Sequence, residues 1–467
     1  MKRALASAAA VLAIAATATA TVAEARATTP AEAEELGRQA YRYGFPLLDL
    51  LRIRREETSV PCPDGRGNAP VNHLANAARF ATPGDRTVVA PNTDTLYSIA
   101  HLDLGRGPVV LRHPDMGKRF FDFELVDPYT NVIGYVGTRT TGSDHGRFAI
   151  SWDEKPGEPR PNVPVIRSKY RRVWLIGRTL AGGEADQRTA FRLMSKYKLT
   201  KQSGKPFGLA ADCYRGKGEP AAYPTPTDGP GFIASLNRAM AKNPPPKRDD
   251  PLLGQLAPLG IGPGLPPPSD ATLPPDVLDA LYAGIETEAA ELPTAARLDF
   301  LQKSIAAKGW ITAASNIGAF GTDYFYRALI AVVGIGANTP EEAIYPATLV
   351  DSNGDLLDGS RDYRMVFPAG AMPPARYFWS LTMYDFAGYL VDNPIDRYSL
   401  GPSHPPLVEK PDGSVVVAVQ HDPPTEEDVN WLPSPEGAFR LNMRLYGPRE
   451  QALSWRWRPP PVVRVGG

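Results

Sequence analysis

The sequence predicts a mainly β protein of the α+β class, in which two antiparallel β regions flank a helical, proline-rich middle segment. Residues 90–142 and 347–446 alternate apolar and polar side chains with the period of two that is typical of strands. Residues 185–335 instead repeat apolar side chains three and four positions apart, which predicts helices. The 49 prolines among 467 residues are about twice the ordinary share of roughly 5% and favour loops, turns and strand edges.

The first 27 residues have the features of a signal peptide. Lys2 and Arg3 precede an alanine-rich apolar run, and Ala25-Arg26-Ala27 fits the small-x-small pattern of a cleavage site. A membrane anchor is the alternative, but the run is only weakly hydrophobic. We therefore expect a secreted or periplasmic protein, with no integral membrane segment after cleavage because no other run of about 20 apolar residues follows.

Charge and cysteine content narrow the classes of partner. Lys plus Arg and Asp plus Glu both number 51, so a net charge of zero argues against nucleic acid or an anionic membrane surface as the main partner. The two cysteines, Cys62 and Cys213, are too few for a disulfide framework and have no metal-binding spacing. One disulfide and two separate thiols remain equally open from the sequence.

The mature chain is expected to begin with an amphipathic helix. Thr29 and Glu32 form a capping-box pattern, with proline at the first helical position between them. Apolar side chains then recur at helical spacing through residues 36–47, and Gly44 and Pro46 are predicted to kink or end the helix.

Residues 90–142 are predicted to form an antiparallel meander that continues to Trp152. Turn-forming Gly, Pro, Asp and Asn separate its runs of alternating residues. Polar residues collect where strands meet turns, so a site is expected at those strand ends. The strands are expected at residues 96–102, 109–111, 120–123 and 131–136.

The middle segment is predicted to hold several helices, at residues 185–199 and 231–241 and from Asp276 onward. Residues 310–335 read as a buried helix interrupted by glycine. Residues 243–275 contain two runs of three prolines and are expected to be a linker or a long surface loop.

Long sequence blocks resemble two families of proteins with domains of unknown function. The blocks PNTDTLYSIAHLDL, GPVVLRHPD and DPYTNVIGYVGTRTTG resemble family 1254; LVDSNGDLLDGSRDYRMVFP, FWSLTMYD, NPIDRYSLG and NWLPSPEGAFRLNMRLYGP resemble family 1214. The resemblance implies two β-sandwich or jelly-roll-like domains with helices between them, export from bacteria and a homo-oligomer. It implies no established activity. The domains expected are residues 28–180 (family 1254-like), a connector at 181–340 and residues 341–467 (family 1214-like).

No standard catalytic or metal motif is present, so we predict no cofactor and no metal. The six histidines are scattered; a metal site assembled from separate strands is the less favoured alternative. Asp351, Asn353 and Asp355 resemble the start of a calcium loop, but Leu356 stands where that loop needs glycine. A β-turn between Val350 and the following strand explains the same residues and is preferred.

Polar residues near strand ends are the candidate site. Carboxylates supply general acids and bases, arginine binds anionic oxygens, and tyrosine can donate a proton. The competing interpretation is a structural network that fixes turns. In the second β region Arg397 is expected to pair with Asp385. The predicted catalytic residues are Asp94, Tyr97, Asp127 and Arg139, and the predicted ligand-binding residues are Asn92, Asn131, Trp379, Tyr384, Asp385 and Arg397.

Two functions from different classes fit these residues. The first is an enzyme of hydrolase or lyase type that acts on a small polar or carbohydrate-like molecule and requires convergent carboxylate, tyrosine and arginine side chains. The second is a non-catalytic ligand-binding or cell-envelope structural protein, in which the same residues would be dispersed. The partner expected is a small-molecule ligand.

Overall fold

The structure is a computed structural model that describes most of the chain after the predicted signal peptide, which lies outside the described residues. The described residues are 28–86, 89–154, 161–209, 213, 224–402 and 406–466. Helices and strands are both abundant in them, and the sheets are antiparallel except for two parallel strand pairs, β6 with β7 and β15 with β16. The predicted α+β, mainly β class is confirmed.

Strands β1 to β9 form two sheets packed face to face. Sheet 1 has the order β1-β2-β8-β4-β5, and sheet 2 has the order β7-β6-β3-β9. Leu96, Phe123 and Leu175 of sheet 1 pack against Leu111 and Ile150 of sheet 2. The strands are β1 (Ala75–Asn76), β2 (Thr95–Asp103), β3 (Val109–His113), β4 (Phe121–Val126), β5 (Val132–Gly137), β6 (Gly146–Trp152), β7 (Val165–Ser168), β8 (Arg172–Leu180) and β9 (Lys198–Lys201).

The predicted meander is wrong, although its strands are present. β2 pairs with β8 and not with β3, and β3 pairs with β6 and β9. Among the strands of the predicted meander, β2 to β6, only β4 and β5 follow each other in sequence and also pair. β9 lies beyond residue 180 yet completes sheet 2; the domain boundaries themselves stay predictions.

The helices form a layer with its own core. The first of them continues through Pro46, so the helix does not end there, and a kink at that position stays a prediction. The described helices are α1 (Pro30–Glu57), α2 (Gly183–Met194), α3 (Gly229–Lys242), α4 (Asp250–Leu256), α5 (Pro275–Ala307), α6 (Tyr324–Gly334) and α7 (Glu450–Leu453). The apolar core that they share contains Tyr43, Leu47, Phe232, Leu236, Leu256, Leu281, Ile285 and Leu329.

Helices α1 and α5 approach closely although they are far apart in sequence. A Cβ on Gly37 would collide with the carbonyl oxygen of Leu281, and one on Gly284 would collide with that of Glu34. Glycine is therefore required at both positions. Beside this contact, Glu288 accepts two hydrogen bonds from the guanidinium of Arg42, at 2.7 and 2.8 Å.

The proline-rich region 243–275 is not a surface linker. It contains α4, and its side chains Leu252, Leu256, Leu259 and Ile261 are buried in the core of the helical layer. Proline stands at the first positions of α4, where no hydrogen bond from its nitrogen is needed. The prolines therefore start and separate short helices instead of preventing them.

Strands β10 to β18 form the second pair of sheets. Sheet 3 has the order β10-β17-β13-β14, with β11 also on β17, and sheet 4 has the order β16-β15-β12-β18. Phe439 and Leu441 of sheet 3 and Tyr363, Phe367 and Val417 of sheet 4 are buried between them. The strands are β10 (Ala343–Ile344), β11 (Ala347–Thr348), β12 (Asp362–Phe367), β13 (Ala375–Asp385), β14 (Ser399–Leu400), β15 (Val415–Gln420), β16 (Asn430–Pro433), β17 (Phe439–Pro448) and β18 (Val463–Val465).

The structure bears on the pairing of the two cysteines and on membrane-spanning helices. Cys62 and Cys213 form a disulfide bond, the alternative that the sequence left open. Across the described residues, none of the helices combines the length and the apolar character needed to span a bilayer.

The outer face of sheet 1 is covered instead of facing water. One end of this face is apolar, and Ile99, Trp174 and Ile176 pack there against Leu50 and Ile53 of α1. The other end is polar and is covered by residues 336–345 and by β17, as the contacts below show. The candidate site lies at this polar end.

Candidate functional site

Three buried carboxylates and two arginines form what we call the acidic cluster: Asp122, Glu124, Glu342, Arg139 and Arg178. Asp122 and Glu124 are two residues apart on β4, so both point away from the core of the two sheets, while their neighbours Phe121 and Phe123 point into it. Arg178 lies directly opposite Asp122 on the neighbouring strand β8.

Arg178 holds the cluster together. Its Nη1 lies 2.8 Å from Glu124 Oε2 and 3.8 Å from Asp122 Oδ1. The same guanidinium donates to Asn338 Oδ1 at 2.9 Å and to the Gly336 carbonyl at 2.6 Å. These bonds attach the segment 336–345 to the face of sheet 1.

Glu342 brings a third carboxylate from that segment. Its Oε2 accepts a hydrogen bond from Arg139 Nε at 2.6 Å. Arg139 follows β5 and also lies over the ring of Tyr135, with its central carbon 5.4 Å from the ring centroid. If all five charged side chains are ionised, three negative charges face two positive ones.

Four carboxylate oxygens of the cluster are buried and, within the described residues, have no hydrogen-bond partner. They are Asp122 Oδ1 and Oδ2, Glu124 Oε1 and Glu342 Oε1. A buried ionised oxygen without a donor is costly, so a proton, a water molecule or a ligand is needed at this place.

The surroundings raise the pKa values of all three carboxyls. Burial raises the pKa of Glu124 to about 7, although Arg178 opposes this. Burial also raises the pKa of Asp122 well above its usual range against the pull of Arg178, and Glu342 and Glu124 add to the rise. The pKa of Glu342 is raised by burial, with Arg139 opposing. Near neutral pH, Glu124 is therefore poised between its two forms.

Tyrosines surround the carboxylates. Tyr97 lies opposite Arg178 in the sheet, with the guanidinium carbon 5.8 Å from its ring centroid. The hydroxyl of Tyr345 accepts two hydrogen bonds from Asn338, and that of Tyr135 accepts one from the Thr339 amide at 2.9 Å. Tyr446 of β17 completes the group; burial raises its pKa well above the usual range, with Tyr345 and Tyr97 adding to the rise.

A cleft of about 210 Å³ lies against the segment that covers the cluster. Tyr345 contributes to the cleft wall and is connected to the cluster through Asn338, which bonds to both Tyr345 and Arg178. The lining residues are Thr312, Ala313, Ser315, Ile317, Pro340, Ala343, Ile344, Tyr345, Ala452 and Leu453.

The structure brings two of the four predicted catalytic residues together. Tyr97 and Arg139 both lie at the acidic cluster. The predicted ligand residue Asn92 touches its edge, because its amide donates to the hydroxyl of Tyr446 at 3.0 Å.

Asp94 and Tyr384 lie in a different group, which we call the arginine cluster: Asp94, Ser380, Tyr384, Arg440 and Arg444. Ser380 donates to Asp94 Oδ2 at 2.6 Å, and Arg444 donates to the Tyr384 hydroxyl at 2.7 Å. This cluster joins residues 90–95 to sheet 3.

Asp127 and Asn131 are at the opposite end of sheet 1 from Asp122. Asp127 Oδ1 accepts from the amides of Tyr129 and Asn131, which is the geometry of a turn. Burial raises the pKa of Asp127 to about 6, against these hydrogen bonds. Trp379 is packed in the core of the second β unit, beside Phe367.

The predicted pairing of Arg397 with Asp385 is wrong. Arg397 donates instead to the carbonyl of Trp431 at 2.9 Å. Asp385 caps the amides of Gly388 and Tyr389, and its other oxygen lies 3.5 Å from Arg86. A bend that begins at Asn393 turns Arg397 toward sheet 4, which sequence spacing could not reveal.

The preferred turn at Asp351 agrees with the structure. Val350 and Leu356 form a β-bridge, and Asp351 Oδ1 accepts from the amides of Asn353 and Asp355. Across the part of the chain that is described, no three acidic, histidine or cysteine side chains are arranged to hold a metal ion.

Sequence reasoning missed Asp122, Glu124, Arg178 and Glu342. The signal was present in residues 121–125, where phenylalanine and acidic residues alternate in a strand. This pattern also describes an ordinary strand with one face in water, and only the covering segment 336–345 makes it unusual.

Comparison with known proteins agrees with this architecture. The family model described as "Protein of unknown function (DUF1254)" matches residues 71–201, and the one described as "Protein of unknown function (DUF1214)" matches residues 342–450. Both matches are present in this one chain, in this order. The acidic cluster draws Asp122, Glu124, Arg139 and Arg178 from the first match and Glu342 from the second.

Two solved structures match the chain, to different degrees. The VPA0106 protein from Vibrio parahaemolyticus matches with a TM-score of 0.65 and 23% identity, over 93% of this chain and 100% of that one. An uncharacterized protein from Burkholderia cenocepacia matches with a TM-score of 0.44 and 14% identity, over 93% of each chain. No curated protein matches the chain. The likeness to the Vibrio parahaemolyticus protein supports the fold alone.

Proposed function

We propose that the protein is an enzyme of hydrolase or lyase type that acts on a small polar or carbohydrate-like molecule by general acid–base catalysis at the acidic cluster. The observation that carries this proposal is the convergence of three buried carboxyls, with four unpartnered oxygens, on Arg178 beside a cleft. Titratable groups with strongly shifted pKa values beside a cleft are characteristic of active sites.

The two carboxyls on β4 differ in ways that suit two roles. Glu124 has one oxygen bound to Arg178 and the other free, and its pKa of about 7 allows it to accept a proton near neutral pH. Asp122 has no side-chain hydrogen bond among the described residues, and burial raises its pKa well above the usual range, so its protonated form can donate. A general base and a general acid on one face of one strand are sufficient for elimination or for activation of water.

The size of the cleft limits the substrate. About 210 Å³ is less than the 300–1,000 Å³ of typical drug-sized pockets, so a small molecule fits best. The hydroxyls of Thr312, Ser315 and Tyr345 on its wall can bond to sugar or carboxylate oxygens. Tyr345 lines the cleft and bonds to Asn338, which also bonds to Arg178, so it connects a bound molecule to the acidic cluster.

Turnover of small chromogenic substrates tests the proposal. We would assay p-nitrophenyl esters and glycosides, and uronate oligosaccharides whose elimination products absorb ultraviolet light, with the wild type and with Glu124→Gln, Asp122→Asn and Asp299→Asn. Asp299 is an exposed carboxylate on α5 paired with Lys303, which makes it a matched control.

The expected result is turnover that rises with pH through about 7, as Glu124 loses its proton. Activity should fall by about a hundredfold or more in Glu124→Gln and Asp122→Asn and stay unchanged in Asp299→Asn. Turnover that survives in both cluster variants would reject the acidic cluster as the catalytic centre. Saturable binding of these compounds without turnover would instead support the non-catalytic alternative.

A further inference from the structure

A second polar site lies at the other end of the covered face of sheet 1. Arg54 and Leu50 of α1, His101 of β2, and Arg172 and Trp174 of β8 line a small crevice between helix and sheet. Trp174 lies four residues before Arg178, the arginine of the acidic cluster on β8, and on the same face of that strand. The two residues are therefore roughly 13 Å apart along the strand.

The crevice contains buried hydrogen-bond donors that lack acceptors. Arg54 Nη1 and Trp174 Nε1 are both inaccessible to solvent, and neither has a partner among the described residues. Trp174 as a whole is 8% exposed. Guanidinium and indole nitrogens can only donate, so each of these groups needs an acceptor from outside the described protein atoms.

Positive charge is also in excess at the crevice. His101 hydrogen-bonds to Glu57 at 2.7 Å, and burial lowers the pKa of His101, so this pair supplies no net positive charge near neutral pH. Both oxygens of Asp103 are bound by Arg171, at 2.6 and 2.7 Å.

Arg54 Nη1 is buried without a hydrogen-bond partner among the described residues, and Arg172 lines the same crevice. Burial and the neighbouring Arg172 lower the pKa of Arg54 to about 10. An anion between the two guanidiniums would relieve that repulsion.

We propose that this crevice binds a small oxyanion, a phosphate or a carboxylate, between Arg54 and Arg172, with Trp174 Nε1 donating to one of its oxygens. Arginine is well suited to such a ligand because its planar donors match two oxygens at once. The crevice has room for about one water-sized atom, a volume of about 20 Å³. One oxygen therefore enters it, and the rest of the anion stays toward the guanidinium of Arg172 at the rim.

The indole of Trp174 is held in place for this contact. Its ring stacks on His101 at 5.9 Å with the planes 4° apart, and His101 is fixed by Glu57. The stacking leaves Nε1 as the polar edge of a rigid wall. Trp174→Phe would remove that donor and keep the stacked aromatic surface.

Calorimetric titration of the protein with sodium phosphate, sodium acetate or sodium chloride tests the site. The variants are Arg54→Gln, Arg172→Gln and Trp174→Phe, and Arg55→Gln is the matched control, since it removes the same charge from the exposed adjacent position of α1. Thermal melting checks that each variant is folded; Arg172 is only half-buried, so its variant keeps the test usable if Arg54→Gln does not fold.

We expect one-to-one binding of phosphate or acetate that weakens at least about tenfold in Arg54→Gln and Arg172→Gln, and by a few-fold in Trp174→Phe. In Arg55→Gln the affinity should change less than about twofold. Tighter binding of phosphate would assign phosphoryl ligands, and tighter binding of acetate would assign carboxylates.

Three outcomes would overturn the site: no saturable heat with either oxyanion, chloride binding as tightly as both, or an equal loss in Arg55→Gln. The site does not depend on the acidic cluster, so Asp122→Asn should leave phosphate affinity unchanged.

Discussion

The arginine cluster and the acidic cluster both contact residues 92–97, yet their charged groups are bonded in opposite ways. In the arginine cluster, Arg444 donates to the carbonyl of Ala90, to Thr382 and to Tyr384, all within 3.0 Å. In the acidic cluster, four carboxylate oxygens have no partner among the described residues. The first network is bonded as expected for architecture, and the second retains the capacity to bind a proton or a ligand.

The exception in the arginine cluster is Arg440, whose Nε is buried without a partner. Burial lowers its pKa to about 10, against the influence of Tyr384. A partly unsatisfied arginine is still protonated at neutral pH, so it offers no proton-transfer chemistry. Glu124, with a pKa of about 7, does. The two clusters therefore differ in whether their charged groups can gain or lose a proton near neutral pH. Variants of each cluster can test that difference.

The largest effect is expected when Arg444 is removed. Arg444→Met would leave Asp94 buried without its cationic neighbour and the Ala90 carbonyl without its donor, so the free energy of unfolding should fall by about 3–5 kcal/mol. Urea denaturation measures this. Arg376→Met, at an exposed position of β13, is the control and should change it by less than about 0.5 kcal/mol. If the unfolding free energy of Arg444→Met fell only slightly, the arginine cluster would not be an important source of stability.

The next effect concerns pH. Burial raises the pKa of Glu124 from 4.5 to about 7, so between these values the folded protein keeps a proton that the unfolded chain releases. This contribution to stability is complete below about pH 4.5 and is lost as pH rises through 7, a change of the order of 3 kcal/mol. In Glu124→Gln this decrease in unfolding free energy between about pH 4.5 and 7 should be absent, so the plot of unfolding free energy against pH should be less steep. An unchanged slope would mean that Glu124 is ionised throughout.

Asp94→Asn tests whether Asp94 of the arginine cluster contributes to stability and not to activity. The amide keeps an oxygen for the Ser380 hydroxyl but loses the charge near Arg444, so we expect a loss of about 1–3 kcal/mol in unfolding free energy. Binding and turnover at the acidic cluster should be retained. If activity were lost and stability were not, Asp94 would be a catalytic residue, as the sequence predicted.

The smallest change in stability is expected for Tyr97→Phe. Tyr97 is half-buried, and no hydrogen bond from its hydroxyl is found among the described residues, so unfolding free energy should change by less than about 0.5 kcal/mol. Substrate affinity or turnover should nevertheless fall, because the hydroxyl lies at the acidic cluster. If Tyr97→Phe were as active as the wild type, the hydroxyl of Tyr97 would have no role in binding or catalysis.

Much of the fold could be predicted from the sequence because strand and helix periods are local. The partners of the strands could not: β2 pairs with β8, whose register matches Leu96 to Thr179 across more than 80 residues. The proline-rich segment was misjudged because the burial of Leu256 depends on α1 and α3, which lie elsewhere in the chain.

The candidate site was only partly predictable for the same reason. Tyr97 and Arg139 stand at strand ends, where polar residues attract attention. Asp122 and Glu124 stand within a strand, on a face that usually contacts water. Their burial is a property of the covering segment, and no spacing within β4 indicates it.

The close packing of α1 against α5 has a consequence for synthesis of the chain. The surface of α5 around Leu281 and Gly284 is made roughly 250 residues after the part of α1 that it contacts. At about 5–20 residues per second, the apolar stripe of α1 stays uncovered for about 10–50 seconds after it leaves the ribosome. During that interval Tyr43 and Leu47 have no native partner from α5, so a nascent-chain chaperone is the natural protector of this helix.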